Sequence, residues 1–289
     1  MSTTASSGRP LLDALIDDAA MFPPGNAPVA EAVRAHAQHR ASAHAALVGP
    51  LLCSDKNLAA LDGVVDGPLD LAVVVTGGAG AIGPAITHAG RTDGVRVVGV
   101  EIALRDEDDL SRNAQRIATM LDLELPENAV ASVEMPRLGD GPPTGSWFDA
   151  ADEVAAAGHR LKFRTGGEWA DSHPDEPELA TFVSAALDRE CAFKLTAGLH
   201  RAIRHSDAGT GFERHGFLNV LLATRVLLDG GHPTDATYAL VRRDTEGIVA
   251  ELGAWDDARA ASARRWFTSF GSCSIDEPLT DLTDLEMYP

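Results

Sequence analysis

Short runs of apolar and β-branched residues alternate along the chain with stretches in which apolar residues recur at helical spacing. This alternation is typical of βα units around a parallel sheet. It predicts eight strands: Leu11–Ile16, Ala46–Cys53, Leu69–Thr76, Val95–Ala103, Val130–Glu134, Arg160–Arg164, Ala192–Thr196 and Trp266–Ser272. We therefore predict an α/β fold, a (β/α)8 TIM barrel. The first and last strands have the weakest pattern, which leaves an open α/β sheet as the alternative.

The predicted barrel takes up nearly the whole chain, whose 289 residues are close to the usual size of one such domain. We expect residues 1–9 to form a disordered N-terminal tail and residues 10–289 to form a single domain. Two helical stretches, Gly211–Leu228 and Pro233–Arg265, precede the eighth predicted strand. They predict a helical insertion at about 206–265, before the last strand of the barrel.

Composition narrows the choice of partners. The 43 acidic and 24 basic residues give a net charge of −19, which repels nucleic acid and anionic membranes. No window of about 18 apolar residues predicts a membrane span, and the three widely spaced cysteines suit a reducing compartment. We expect a cytoplasmic protein that acts on a small molecule; the sequence leaves open whether it forms a homo-oligomer.

Lysine is rare in this chain: only Lys56, Lys162 and Lys194 are lysines among the 24 basic residues. Arginine replaces lysine at a solvated surface, but it cannot replace an amine that must lose its proton and attack a carbonyl. Lys162 and Lys194 lie on the sixth and seventh predicted strands, and barrel chemistry takes place at the C-terminal ends of the strands. These two lysines are therefore the leading candidates for catalysis.

Three motifs follow one another on the last predicted strands: Lys162-Phe-Arg-Thr-Gly-Gly167, Lys194-Leu-Thr-Ala-Gly198 and Phe270-Gly-Ser-Cys-Ser274. Their order resembles the deoxyribose-phosphate aldolase family of class I aldolase barrels. The resemblance implies that Lys162 forms a Schiff base and that Lys194 perturbs it. It also implies substrate binding by the other matching motif positions, which are Thr165, Gly166, Gly198, Gly271 and Ser274. Arg164, which replaces the family's serine on the sixth strand, and Ser272 are further expected substrate-binding residues. The acid of the family's fourth strand has no direct counterpart, so Glu101 or Glu134 is expected to move protons.

The chemistry of a lysine pair gives the same assignment independently. Burial and a neighbouring cation both favour the neutral, nucleophilic form of an amine. Lys194 and Arg164 are expected to supply that cation beside Lys162, so we predict a lowered pKa for Lys162. Two alternatives stay open: both lysines form salt bridges with Glu101 and Glu134 inside the barrel, or they hold an anionic ligand.

The loop after the seventh predicted strand is rich in basic side chains: His200, Arg201, Arg204, His205, Arg214 and His215. This local positive patch, with His200 and Arg201 foremost, is expected to bind a carboxylate or phosphate of the substrate. The competing interpretation is a divalent metal bound by Glu134 with His200 or His205. A solvated loop is the simplest alternative.

Three further features of the sequence are weaker signals. The segment Gly78–Gly83 has the spacing of a dinucleotide-binding loop, although Pro84 follows it at once and a Gly-rich barrel loop is the favoured interpretation. Asp17 and Asp18 directly follow the first predicted strand and are interpreted as turn or active-site residues. Cys273 lies beside the start of the last helix, but the sequence assigns it no histidine or acid partner.

Together these observations favour a class I aldolase-like lyase that makes or breaks a carbon–carbon bond in a small carbonyl compound. Lys162 would form the imine, Lys194 would lower its pKa, and Glu134 or Glu101 would move protons. An imine is itself an electron sink, so neither a metal nor an organic cofactor is required. The alternatives are a metal-dependent TIM-barrel lyase or isomerase and a non-catalytic barrel that binds an anionic metabolite.

Overall fold

The computed structural model describes residues 10–105, 108–139 and 141–288, and the tail predicted at 1–9 lies outside the described residues.

The strands of the barrel follow the predicted order. The described strands are β1 Ile16–Asp18, β2 Val48–Ser54, β3 Leu69–Val75, β4 Val95–Ala103, β5 Val130–Glu134, β6 Arg160–Arg164, β7 Phe193–Thr196, β8 His205–Ser206, β9 Glu213–Arg214 and β10 Phe267–Ser272. All except β8 and β9 are parallel and close into a barrel in the order β1-β10-β7-β6-β5-β4-β3-β2. The predicted (β/α)8 barrel is confirmed, and the open sheet is wrong.

Helices surround the barrel and fill the insertion before its last strand. They are α1 Val29–Ala41, α2 Ile82–Ala89, α3 Leu110–Glu124, α4 Gly145–Ala156, α5 Glu176–Asp188, α6 Phe217–Leu228, α7 Pro233–Val241, α8 Thr245–Gly253, α9 Asp257–Trp266 and α10 Asp276–Asp284. Short 3₁₀ turns lie at Ala45–Leu47, Asp55–Leu61, Ala79–Ala81 and Ala170–Ser172. Within the described ranges no helix combines the length and the apolarity needed to cross a bilayer.

The insertion between β7 and β10 consists of the small antiparallel hairpin β8–β9 and the four helices α6 to α9. The helical stretch predicted over Pro233–Arg265 consists of three helices, α7, α8 and α9. Asp256 accepts a hydrogen bond from the backbone N–H of Arg259, which starts a new helix at α9. Such N-capping stabilises a helix start by about 1 kcal/mol.

The first strand lies later in the chain than its apolar run. The predicted strand Leu11–Ile16 is wrong, since residues 11–14 form turns and β1 is Ile16–Asp18. Leu12 and Leu15 are fully buried without being in the sheet. A short apolar run shows burial but does not by itself distinguish a strand from a buried turn. The consequence for the site is that Asp17 belongs to the barrel wall.

The alternation of side chains along β6 and β7 determines which residues face the lumen. Phe163 of β6 stacks on Phe182 of α5 with ring centroids 4.4 Å apart, and Phe193 of β7 meets the same ring edge-on. These phenylalanines therefore face the helices. Since successive residues of a strand point to opposite faces, Lys162 and Lys194 point into the barrel.

Candidate active site

Six charged side chains of alternating sign form one ionic chain across the barrel lumen. In order along the chain they are Asp17, Lys194, Glu101, Lys162, Glu134 and Arg164. At its centre Glu101 binds both lysines, because Lys162 Nζ lies 2.6 Å from Glu101 Oε2 and Lys194 Nζ donates a hydrogen bond to Glu101 Oε1. The three anions balance the three cations, so the ionic chain is neutral when every member is ionised.

The register of the strands explains why these side chains meet. Lys162 lies directly opposite Lys194 on the neighbouring strand and opposite Glu134 on the other side. Glu101 reaches the lysines from β4, and Asp17 reaches Lys194 from β1. Neither β4 nor β1 is hydrogen-bonded to β7, so these contacts cross the interior of the barrel.

One end of the ionic chain is closed off from solvent. Lys194 Nζ lies 2.5 Å from Asp17 Oδ2, and the Ser269 hydroxyl donates a hydrogen bond of 2.7 Å to the same oxygen. All three side chains are buried. Ser269 is opposite Lys194 in the sheet, so the Asp17 carboxylate is held between two donors from β7 and β10.

The other end reaches the C-terminal mouth. Lys162 Nζ lies 2.9 Å from Glu134 Oε2, and Arg164 Nε lies 2.9 Å from Glu134 Oε1. The exposed fraction rises along this series, from 5% for the Lys162 side chain to 13% for Glu134 and 44% for Arg164. A ligand that enters from the mouth therefore meets Arg164 and Glu134 before Lys162.

The buried carboxylates are strongly acidic in this setting. Burial alone would raise the pKa of Glu101, but the charges and hydrogen bonds of Lys162 and Lys194 outweigh it and lower the pKa to about 2. The pKa of Glu134 is also lowered, since the attraction of Lys162 and Arg164 exceeds the effect of burial. Both groups are carboxylates at neutral pH.

The same charges act on the lysines, and here the expectation of a lowered pKa for Lys162 is wrong. Burial favours the neutral amine, but Glu101 and Glu134 together outweigh it, so the pKa of Lys162 is raised. The repulsion from Lys194 acts in the predicted direction and is smaller than either attraction. Burial also acts to lower the pKa of Lys194, but the attraction of Asp17 and Glu101 outweighs burial, so the pKa of Lys194 is raised as well. Both lysines are ammonium ions while the ionic chain is intact.

An apolar wall faces the charged side of the lumen. It is formed from β2, β3 and the residue after β1, where Leu52, Ala72 and Ala19 pack together against Phe22 and Val74. Gly271 of β10 borders it, since a Cβ there would lie 3.3 Å from Leu52 Cδ1. A charged wall opposite an apolar wall suits a small substrate with one polar reacting end.

The loops that follow β6 and β7 cross in close contact. Thr165 is buried and donates its hydroxyl hydrogen bond of 2.6 Å to the carbonyl oxygen of Ala197. A Cβ on Gly166 would lie 2.8 Å from the Cα of Gly198, and one on Gly198 would lie 2.6 Å from the carbonyl oxygen of Thr165. The loops after the two lysine-bearing strands are therefore held together by the Thr165 hydrogen bond and by the close approach of the backbones at Gly166 and Gly198.

Gly198→Ala is expected to destabilise the fold by about 2–4 kcal/mol, because it combines backbone strain at φ 104° with the clash against Thr165. Gly211→Ala is the matched control: Gly211 also has positive φ, at 73°, but its Cβ would meet open space. Thermal unfolding of the two variants measures the difference. Equal losses of stability would show that the loop crossing has no energetic role.

The eighth-strand motif uses its hydroxyls within its own loop. Ser272 Oγ donates a hydrogen bond of 2.7 Å to the carbonyl oxygen of Ser274. The backbone N–H of Glu277 donates to Ser274 Oγ at 3.2 Å, which ties the loop to the start of α10. In this structure Ser272 and Ser274 shape the loop, and their role as substrate-binding residues stays a prediction.

A cavity of about 750 Å³ lies at the C-terminal mouth beside β7 and β10, and we call it the mouth cavity. The loop after β7 and helix α10 form most of its wall, and neither Lys162 nor Lys194 lines it. Four arginines of the predicted positive patch or its surroundings line it: Arg201, Arg204, Arg214 and Arg243. Each has an acidic partner, in the same order Asp281, Glu176, Asp207 and Glu213. The patch is therefore largely neutralised.

The histidines of this region have separate partners. His200 Nδ1 lies 2.8 Å from Glu277 Oε2, and His205 Nδ1 lies 3.2 Å from the carbonyl oxygen of Ile203. His215 is buried against the carbonyl oxygen of Pro174, and burial lowers its pKa to about 4, so it adds no positive charge at neutral pH. The metal-binding alternative required Glu134 beside His200 or His205. Across the described part of the chain, no three acidic, histidine or cysteine side chains are placed to hold a metal ion.

The remaining weak signals are resolved by their surroundings. Gly78 begins the connection from β3 to α2, and Gly83 is buried in α2, as in the favoured barrel-loop interpretation. Asp18 pairs with His36 of α1 at 3.0 Å, behind the barrel wall. Lys56 lies exposed beyond the end of β2, outside the ionic chain.

Sequence reasoning did not identify Ser269, and it left Asp17 as a turn or active-site residue with no assigned partner. The alternation on the last strand carried a signal for Ser269, since it is a small polar residue between Phe267 and Phe270, both buried. Asp17 can be assigned to the site only when β1 is known to comprise Ile16–Asp18.

Comparisons with known proteins add no family. A scan against protein-family models, a search of curated proteins and a search of solved structures each found no match to this chain. The barrel and the ionic chain therefore carry the functional argument alone.

Proposed function

We propose that this protein is a class I aldolase-type lyase in which Lys162 forms an imine with a small carbonyl compound. The observation that carries the proposal is the pairing of Lys162 with Lys194: the two lysines are opposite one another on adjacent strands, both are buried, and they share Glu101. Buried charges are costly and concentrate at functional sites. Two lysines in one lumen are unusual in a chain with only one other lysine.

Lys162 rather than Lys194 is the proposed nucleophile because of its position. Its partner Glu134 contacts the half-exposed Arg164, whereas the partners of Lys194 are the buried Asp17 and Glu101. A carbonyl that enters from the mouth thus reaches Lys162 first. Lys194 then acts as a fixed cation that orients Glu101 and disfavours the positive charge of the Lys162 ammonium group.

The resting enzyme must release a proton from Lys162 before the amine can attack. Glu134 and Glu101 are the acceptors, since their oxygens lie 2.9 Å and 2.6 Å from Lys162 Nζ. Entry of a substrate displaces water. Without water, the free-energy difference that favours ammonium and carboxylate over neutral amine and carboxylic acid becomes smaller. The same carboxylic acid would then return the proton during bond cleavage or formation. The direct test is hydride trapping of the imine on Lys162.

The pH dependence of trapping is expected to shift in opposite directions in two variants. Glu134→Gln removes an anion that raises the pKa of Lys162, so the pKa falls and trapping persists to lower pH, by about 1–3 pH units. Lys194→Met removes the cation that lowers this pKa and leaves Glu101 to Lys162 alone, so trapping requires higher pH. The rate of labelling with a carbonyl probe and cyanoborohydride, measured against pH, gives both values. Shifts of the same sign would contradict the proposed electrostatics.

A second function, binding of an anionic metabolite without turnover, is favoured by one observation. The pKa of each lysine is raised, which keeps both as fixed ammonium ions suited to an anion. A thermal-shift screen with carboxylates and phosphates tests it, because a ligand bound only by the native state raises apparent stability. Stabilisation by an anion, with no hydride-trapped label from any carbonyl probe, would favour this second function.

A further inference from the structure

Three side chains of the mouth cavity form a cluster that the proposed imine chemistry does not use. Cys273, which follows β10, His200, which follows β7, and Glu277, in the first turn of α10, all line the cavity. Cys273 Sγ lies beside the His200 ring, 3.9 Å from Nε2 and 4.0 Å from Nδ1, and His200 Nδ1 lies 2.8 Å from Glu277 Oε2. A thiol and a carboxylate thus contact the same imidazole at the wall of a cavity large enough for a small molecule.

The order of contacts fixes the tautomer of the imidazole. His200 Nδ1–H donates a hydrogen bond to Glu277 Oε2, so Nε2 carries the free lone pair and is the ring nitrogen that can accept the thiol proton. Burial lowers the pKa of His200 despite the attraction of Glu277, so the imidazole is neutral near pH 7 and able to accept a proton. A thiol in contact with a histidine that is oriented by a carboxylate is the combination of groups found in enzymes that activate a thiol through histidine.

The other two cysteines lack this arrangement. Cys53 Sγ contacts the backbone oxygen of Ser54 at 3.5 Å, and Cys191 Sγ contacts that of His159 at 3.2 Å. Both are buried, and burial raises their pKa, to about 12 for Cys53. Burial raises the pKa of Cys273 as well, so its thiol needs a base to react. Cys53 and Cys191 are therefore internal references for a cysteine without a base.

We infer that Cys273, His200 and Glu277 form a second nucleophilic centre, which adds covalently to a small anionic aldehyde held in the mouth cavity. In this step the Cys273 sulfur forms a bond with the carbonyl carbon while the C=O π electrons move to oxygen. The thiol proton passes to His200 Nε2 and from there to that oxygen. The product is a thiohemiacetal, and the step requires no oxidant, reductant or further reactant.

Arg201 is the group in the cavity best placed to hold the anionic end of such an aldehyde. Its side chain is 49% exposed, and its contact with Asp281 is 3.2 Å long. Arg201 and His200 both line the mouth cavity, so an anion bound by the guanidinium lies in the same cavity as the imidazole. An arginine fork binds a carboxylate bidentately, which would orient a short oxo acid toward the thiol.

The test is the rate at which iodoacetamide modifies each cysteine of the full chain at about pH 7.5, followed by peptide mass spectrometry. We expect Cys273 to react faster than Cys53 and Cys191, and His200→Gln to slow its reaction by about tenfold or more. His205→Gln is the matched control, since His205 lines the same cavity but binds the backbone of Ile203. It should leave the rate at Cys273 within about twofold of the wild type. This readout does not depend on Lys162, so it separates this inference from the proposed lyase activity.

Glyoxylate, an aldehyde with a carboxylate, is the probe for the covalent step. It should slow the modification of Cys273 in the wild type, and Arg201→Gln should weaken that protection. With ¹³C-labelled glyoxylate, a thiohemiacetal carbon signal should appear in the wild type and be absent from Cys273→Ser. If His200→Gln does not fold, Glu277→Gln replaces it, with a smaller decrease in the same rate. The inference is overturned if both histidine variants have the same rate, or if glyoxylate gives neither protection nor an adduct.

Discussion

Lys162→Met is expected to abolish the covalent label that borohydride fixes on the wild-type protein in the presence of a reactive carbonyl compound. The wild type should gain one label per chain, mapped by peptide mass spectrometry to Lys162, when pyruvate, glyoxylate and a series of aldehydes are screened. The loss in the variant should be complete, since methionine has similar length and no amine. The fold should persist, because Glu101 keeps its contact with Lys194 and Glu134 keeps its contact with Arg164.

Lys56→Met is the matched control for this experiment, since Lys56 is an exposed lysine beyond the end of β2, on the side of the barrel opposite β6. Its label should be the same as that of the wild type. A label that maps to Lys194 would reverse the roles assigned to the two lysines. If the true substrate is turned over without any label being trapped, the imine mechanism fails.

The fold was largely readable from the sequence. Strands β4, β5 and β6 have the predicted bounds, because each is a run of alternating or continuous apolar residues with clear turn signals on both sides. The prediction of the first strand was wrong for a physical reason. Two of the three residues of β1, Ile16–Asp18, are aspartates, and a hydrophobic pattern does not show that their side chains are buried. Only the closed barrel makes those aspartates part of a strand.

The site was partly readable. The scarcity of lysine and the period of the strands were enough to predict that Lys162 and Lys194 lie side by side, and the structure places them so. Their charge state was left open by the sequence. Salt bridges with Glu101 and Glu134 were one alternative, and the structure shows them for Lys162 with both acids and for Lys194 with Glu101. Glu101 comes from a strand three positions away from β7 in the barrel, and no local pattern shows that it touches both lysines.

The Cys273 cluster illustrates the same limit over a longer distance in the chain. His200 precedes Cys273 by 73 residues, and the whole insertion of α6 to α9 lies between them. They meet because β7 and β10 are neighbours in the barrel, so the loops that follow these strands share one side of the mouth. A sequence identifies the types of residue needed for nucleophilic chemistry, whereas the closure of the barrel brings them together.

Glu101→Gln is expected to destabilise the native state by about 3–5 kcal/mol at pH 7, because two buried ammonium groups lose the carboxylate that they share. The pKa of Glu101 is lowered from 4.5 to about 2, so its contribution is fully present above pH 4.5 and is lost as the pH falls toward 2. The stability difference between the wild type and the variant should therefore narrow below pH 4.5. Urea unfolding at a series of pH values measures this difference.

Asp70→Asn supplies the matched control, since Asp70 of β3 forms an ion pair with Arg96 of β4 at the protein surface. The side chains of Asp70 and Arg96 are 36% and 74% exposed. An exposed ion pair of this kind contributes less than about 1 kcal/mol. If Glu101→Gln costs no more than Asp70→Asn, the lysines do not depend on Glu101 for their charge. The ionic chain would then not determine the protonation state of Lys162, and the opposite pH shifts expected for Glu134→Gln and Lys194→Met would fail with it.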